Sequence, residues 1–224
     1  MRIDPNPPSA PLLPGQLHLW TLCSDEPPLA QSAAAQSLAR FALSRHFRVA
    51  EHDWRFARDA QGRPYIAWPR LEPAPHFSIS HTRGMLACLV SLTASAAVDV
   101  EHIVHTDDLA HVAEAVLARR EREALGRLAG SDWTERFFDY WTLKEAYAKA
   151  RGEGLGLPFG DIGFELDGPG AARVRFGPGV DDDPAAWRFW RSRLGPRHAL
   201  AVAAKEAFSL WHTSLTERSL ACSA

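Results

Sequence analysis

Apolar and polar positions change period several times along these 224 residues. Leu17 through Leu22 alternate as a half-buried strand does. An alanine-rich stretch from Gln31 to Phe47, with Leu38, Phe41 and Ala42 as its apolar positions, predicts a helix. The segment 61–65, Gln-Gly-Arg-Pro-Tyr, is a turn signal leading into a short strand. Two apolar stretches follow at 77–79 and 85–92, and a small-residue turn at 93–96 leads into Ala97-Val-Asp-Val-Glu101. Apolar residues then recur at helical spacing from Leu109 to Leu128. A further helix is predicted from Trp133 to Ala150, with Asp132 and Glu135 as its capping box and Gly152 as its stop. Segments 162–166, 172–176, 187–193 and 199–204 read as strands, the last two as a hairpin across Gly195-Pro196. Beyond Phe208 the pattern is ambiguous. Strands and helices mix without a regular βαβ alternation, which predicts an α+β (mixed α/β) class.

Composition narrows the function classes. Lys+Arg is 25 against Asp+Glu 27, so the basic excess of a sequence-independent nucleic-acid binder is missing. Cys23, Cys88 and Cys222 are odd in number and far apart, with no CxxC, which fits a reducing compartment. Prolines at 5, 7, 8, 11 and 14 break any apolar helical core at the start, and no run approaches the ~20 apolar residues that span a bilayer. The chain is expected to be cytoplasmic, with neither a membrane nor a nucleic acid as partner.

Three groups of residues carry candidate chemistry. Asp99 and Glu101, at i and i+2 of a strand, share a face. They are either the solvated side of a half-buried strand or a site for a hard divalent cation, which relieves the repulsion between close carboxylates. Glu145 and Lys149 stand one turn apart on a helix, an ordinary surface pair by spacing alone. Yet only three lysines occur, and two of them, Lys144 and Lys149, flank Glu145 among aromatic residues. A lysine there supplies a mobile point charge for phosphate. Ser78, Ser80 and His81 close an apolar strand, a weak anion-binding signal. Gly152-x-Gly154-x-Gly156 follows a helix, the wrong context for a dinucleotide fingerprint.

In chain order these pieces are a Gly-Arg-Pro turn, Phe-Ser-Ile-Ser-His-Thr, Val-Asp-Val-Glu, Trp-Thr-Leu-Lys-Glu-Ala-x-x-Lys and Gly-x-Gly-Leu-x-Leu-Pro. The set resembles the 4′-phosphopantetheinyl transferases of the Sfp type, the large monomeric branch, over about residues 41–204. The resemblance implies two similar α/β halves related by a pseudo-two-fold, with coenzyme A in the cleft between them. It divides the chain into a Pro-rich arm (1–15), an N-terminal half (16–95), a C-terminal half with the metal site (96–208) and a tail (209–224). It implies Mg²⁺ on Asp99, Glu101 and Glu145, with Glu145 and Lys149 as catalytic groups. Arg63, Ser80, His81 and Lys144 become contacts to coenzyme A.

The reaction implied is transfer of the phosphopantetheine arm of coenzyme A to a serine of an apo acyl or peptidyl carrier protein, releasing adenosine 3′,5′-bisphosphate. The enzyme is expected to act as a monomer. An acidic carrier is expected to dock on the segment 116–128, with Arg119, Arg120 and Arg122, which reads equally as a solvated amphipathic helix. Two departures stand out. Arg63 replaces the lysine of the family's turn, and no Lys or Arg occurs between Arg2 and Arg40, leaving Arg40 and Ser32 as substitutes at the adenosine end. That thinning motivates the alternative, a non-catalytic module that binds a carrier protein or coenzyme A.

Overall fold

The computed structural model describes residues 11–25, 27–153, 156–166, 168 and 170–216. Most of the expected arm, the end of the expected tail, and Gly154 and Leu155 of the glycine-rich loop lie outside the described residues.

Two topologically similar units are built from the first ten strands. In the first, β1 (Gln16–Ser24), α1 (Pro28–His46), β4 (His76–Thr82) and β5 (Gly84–Ser91) give the order β1-β5-β4. In the second, β6 (Ala96–His102), a helix spanning Gly130–Arg151, β9 (Trp187–Leu194) and β10 (His198–Lys205) give the order β6-β10-β9. Both units are antiparallel within these strands. The first also carries a small hairpin, β2 (Arg55–Arg58) with β3 (Pro64–Trp68). Between β6 and the long helix come α2 (Leu109–Val116) and α3 (Arg119–Leu125), so the long helix is α4. The second sheet is extended by β7 (Ile162–Glu165) and β8 (Ala171–Phe176).

The layers follow from strand alternation, because β5 and β10, interior strands of the two sheets, are apolar on both faces. Leu17, Leu19, Met85 and Leu89 point to the same side as Val98, Val100, Leu200 and Val202, and together they form the core between the two sheets. Trp20, Leu22, Leu86 and Cys88 point the other way and pack on α1. Ala97, Ala199, Ala201 and Ala203 face α4, whose Phe137, Leu143 and Tyr147 lie over them. The alanines bring α4 close to β6 and β10. The order is therefore helix, sheet, sheet, helix.

The sheets also meet at their edges. Ser78, Ser80 and Thr82 alternate along β4, and their hydroxyls accept from the backbone N–H groups of Val98 (3.2 Å), Val100 (3.3 Å) and His102 (3.1 Å). These donors belong to the outer edge of β6 and would otherwise be unpaired. Hydroxyl groups thus replace a backbone ladder across the seam, each bond contributing about 1 kcal/mol net.

Three local expectations are corrected. The single helix over 109–128 is two, because Leu117 and Ala118 are extended and the Glu121 carboxylate holds the Ala118 N–H at 2.7 Å. α4 begins at Gly130, with Ala129 as its N-cap and no side-chain cap, so Asp132 sits in its first turn instead of capping it. Residues of the expected tail form β11 (Ser209–Leu215), which pairs parallel with β1 and buries Leu210 between the sheets.

Candidate active site

α4 presents Trp141, Glu145 and Lys149 at successive four-residue steps, one stripe along the helix. On β6, Asp99 and Glu101 leave the strand on the face that α4 covers. The helix stripe and the strand carboxylates therefore oppose each other. Trp141 Nε1 donates to Glu101 Oε1 at 3.3 Å, and Lys149 Nζ donates to Asp99 Oδ1 at 2.6 Å.

Ser80 completes this contact from the other unit. Its hydroxyl donates to Asp99 Oδ1 (2.9 Å) and accepts from Lys149 Nζ (3.0 Å) and Val100 N. A hydroxyl has one donor and two acceptor positions, so Ser80 is saturated. The resemblance implied a contact to coenzyme A for it; the structure uses it to hold Asp99, because the β4–β6 seam brings it against that carboxylate.

Asp99 is 2% exposed, and its Oδ2 is buried with no hydrogen-bond partner. Burial, and then the charge of Asp99, push Glu101 up to about 7. The same two causes raise Glu145, with Lys149 opposing them. This is an all-oxygen set with one orphaned carboxylate oxygen and mutual repulsion, chemistry that fits a hard divalent cation. Among the described residues, however, no group of three His, Cys, Asp or Glu side chains is gathered as a ready metal site, and Lys149 is the positive charge that Asp99 contacts.

Beside Lys149 a cavity of about 220 Å³ opens between the units. Gly62 and Arg63 of the β2–β3 turn, Phe77 and Ile79 of β4, and Ala148 of α4 line it with Lys149. Arg63 is anchored there by donating from Nη2 to Ala94 O at 2.7 Å. His81, at the exposed end of β4, is held below the ordinary imidazole range by partial burial and by Lys149.

Two expected site residues lie elsewhere. Lys144 is fully buried on the opposite side of α4, paired with Glu121 at 2.8 Å and donating to Phe159 O (2.9 Å) and Ile162 O. Its three donors are consumed, so it offers nothing to a phosphate. Arg40 donates to Trp54 O at 3.3 Å and lies over the Phe56 ring, inside the first unit. The expected docking arginines are partly engaged as well: Arg119 pairs with Glu123, Arg120 with Glu165, and Arg122 donates to Leu117 O.

Sequence reasoning passed over Trp141, although it stands four residues before Glu145 and begins the same motif. It also passed over Glu121, hidden in a run of arginines and glutamates.

Comparison with known proteins matches residues 95–208 to the model of the 4′-phosphopantetheinyl transferase superfamily. The 4′-phosphopantetheinyl transferase HetI of Nostoc sp. is 30% identical over 177 residues, covering 67% of this chain and 75% of that protein. The 4′-phosphopantetheinyl transferase Sfp of Bacillus subtilis is 28% identical over 168 residues, covering 75% of this chain and 70% of its own length. A holo-(acyl-carrier-protein) synthase from Bacillus anthracis, solved in complex with CoA (3′,5′-ADP), superposes with a TM-score of 0.42 at 25% identity, over 50% of this chain and 95% of its own. The matched region contains β6, α4 and every acidic residue of the site, and the chain belongs to the 4′-phosphopantetheinyl transferase superfamily.

Proposed function

We propose that this chain carries out its family's reaction at the junction of β6 and α4. It transfers the 4′-phosphopantetheine arm of coenzyme A to a serine of an apo acyl or peptidyl carrier protein and releases adenosine 3′,5′-bisphosphate. The observation that carries this reading is Lys149, one of three lysines in the chain, placed on Asp99 and on the wall of the inter-unit cavity together.

The serine oxygen forms a bond to the phosphorus that bears pantetheine, and the bond from that phosphorus to the bridging oxygen breaks. Such a reaction needs positioning and charge neutralisation more than covalent help. Lys149 and Arg63 line one cavity and would face the pyrophosphate, Lys149 neutralising charge on the leaving phosphate. Glu145 takes the serine proton, its affinity for protons raised by burial and by the charge of Asp99. Asp99, Glu101 and Glu145 would hold Mg²⁺, which when bound supplies charge stabilisation to the phosphates. His81, close enough to Lys149 to feel its charge, would serve as a further phosphate contact.

We read the enzyme as a cytoplasmic monomer, on the strength of its unpaired cysteine pattern and the family branch it resembles. No helix among the described residues is long and apolar enough to cross a membrane. The test is incubation with several apo carrier proteins, coenzyme A and Mg²⁺, read by intact-mass spectrometry. One added phosphopantetheine arm per carrier is expected, lost on chelation and restored by Mg²⁺. Carrier binding without any mass gain would favour the binding-module alternative.

A further inference from the structure

The loop between β8 and β9 carries the run Asp181-Asp-Asp183, and its three carboxylates have different tasks. Asp181 is exposed. Asp183 caps the single turn 184–186, its Oδ1 accepting from Ala185 N at 2.9 Å. Asp182 turns inward, its side chain 9% exposed, and three side-chain donors converge on its Oδ2. They are Tyr147 Oη (2.9 Å), Arg151 Nη1 (2.7 Å) and Trp187 Nε1 (2.8 Å). Asp183 N donates to the other carboxylate oxygen at 2.9 Å. The Tyr147 and Trp187 rings also meet edge to face, with centroids 4.8 Å apart.

Tyr147 and Arg151 lie near the C-terminal end of α4, each two residues from Lys149. Two residues turn about 200° around an α-helix, so both stand nearly opposite Lys149. The end of α4 is therefore gripped on two sides. Lys149 reaches Asp99 on β6, while Tyr147 and Arg151 reach Asp182 on the far side. Arg151 also donates from Nε to Glu153 at 2.8 Å, just beyond Gly152. Gly152 lines the cavity beside Lys149, and a Cβ on it would lie 3.5 Å from Arg63 Nη1. One carboxylate thus governs both the rotation of the last turn of α4 and the start of the loop that walls the cavity. Charge-assisted bonds of this kind fix geometry as well as contribute energy.

We propose that Asp182 is a positioning residue for the transfer reaction: it sets the rotation of the last turn of α4 and so places Lys149 on Asp99 and on the cavity wall. Asp182 touches no reacting group itself. Its effect on kcat rests on the transferase reading, whereas its hold on Lys149 rests on the geometry alone. A displacement of about 1 Å at a catalytic contact costs up to about 100-fold in rate, so a modest rotation of the helix end is enough to matter.

The experiment uses the scarcity of lysine. With ¹³C-labelled lysine the full chain gives separate Cε–Hε correlations for Lys144, Lys149 and Lys205, and Lys149→Arg identifies the signal of Lys149. Asp182→Ala is compared with Asp183→Ala, which loosens the same loop but leaves the contacts to α4 in place. Asp182→Ala is expected to shift the Lys149 signal while Lys144, buried against Glu121, stays where it is. The same variant lowers kcat for carrier modification roughly tenfold or more. Asp183→Ala leaves both readouts near the wild type. If Asp182→Ala keeps the wild-type Lys149 signal or the wild-type kcat, or if Asp183→Ala lowers kcat as far, the proposal is overturned. Should Asp182→Ala fail to fold, Asp182→Asn keeps the size and loses the charge, and the same comparisons apply with smaller changes. A wild type that modifies no carrier defeats the transferase reading, and the lysine signals still decide whether Asp182 places Lys149.

Discussion

Lys144 Nζ lies 2.8 Å from Glu121 Oε2, and solvent reaches neither side chain. The Glu121 carboxylate also accepts from Ala118 N and Phe164 N, while Lys144 donates to Phe159 O and Ile162 O. One ion pair thus joins α3, α4, β7 and the loop before β7. Burial pushes Glu121 up and Lys144 down, each opposed by the other's charge.

Removing one partner of such a pair leaves an uncompensated buried charge. Lys144→Met is therefore expected to cost about 3–5 kcal/mol, and Glu121→Leu combined with Lys144→Met to cost less than Lys144→Met alone. Urea unfolding followed by circular dichroism measures both. A Lys144→Met protein of unchanged stability but weakened affinity for coenzyme A would return Lys144 to the cofactor site.

Asp99 is held by a hydroxyl from one unit and an ammonium from the other. Asp99→Asn should keep the fold and lower kcat for carrier modification by about 100-fold or more, about 2.7 kcal/mol of transition-state stabilisation. Ser80→Ala removes a donor to Asp99 and the acceptor for Val100 N, so it should cost about 1–3 kcal/mol of stability and also reduce transfer. Ser80→Thr is expected to recover part of both. Full activity in Asp99→Asn would remove that carboxylate from the mechanism.

His18 is buried between β1, α1 and β11, its Nδ1 2.8 Å from His46 Nε2 and its Nε2 2.8 Å from Thr213 Oγ1. Burial, then the charges of His46 and His212, lower it from 6.5 to about 3. The folded chain thus resists a proton that the unfolded chain accepts below pH 6.5, and stability falls as pH drops from 6.5 toward 3. The contribution is at most about 1.4 kcal/mol per pH unit. Thermal melts at pH 7, 6, 5 and 4 should show a shallower loss for His18→Asn than for the wild type. Equal slopes would assign acid sensitivity to other groups.

β11 covers the edge of β1, and its Leu210 is buried between the sheets. A chain ending at Phe208 loses a seven-residue parallel pairing and exposes that edge. We expect a lower Tm and concentration-dependent aggregation, read by differential scanning calorimetry and light scattering. A melting curve unchanged from the full chain would make β11 dispensable.

Most elements were legible because burial leaves a pattern: alternation along β1 and β6, near-continuous apolar runs along β5 and β10, and helical spacing along α1 and α4. The break at Leu117-Ala118 was not, because Glu121 imposes it through a carboxylate turned inward to Lys144 and the backbone. β11 was not, since its seven residues acquire their pairing from β1, about 190 positions earlier.

From the sequence came the candidates: the ordered motifs that resemble the family picked out Asp99, Glu101, Glu145 and Lys149, and lysine scarcity drew attention to α4. What each residue touches is set by the packing of distant segments. Lys144 and Lys149 sit five apart on α4, a separation that turns them about 140° around the helix, so one enters the core and the other meets Asp99. Ser80 and Asp99 become partners because the edge of β6 docks on β4, a contact between distant segments that no local spacing encodes.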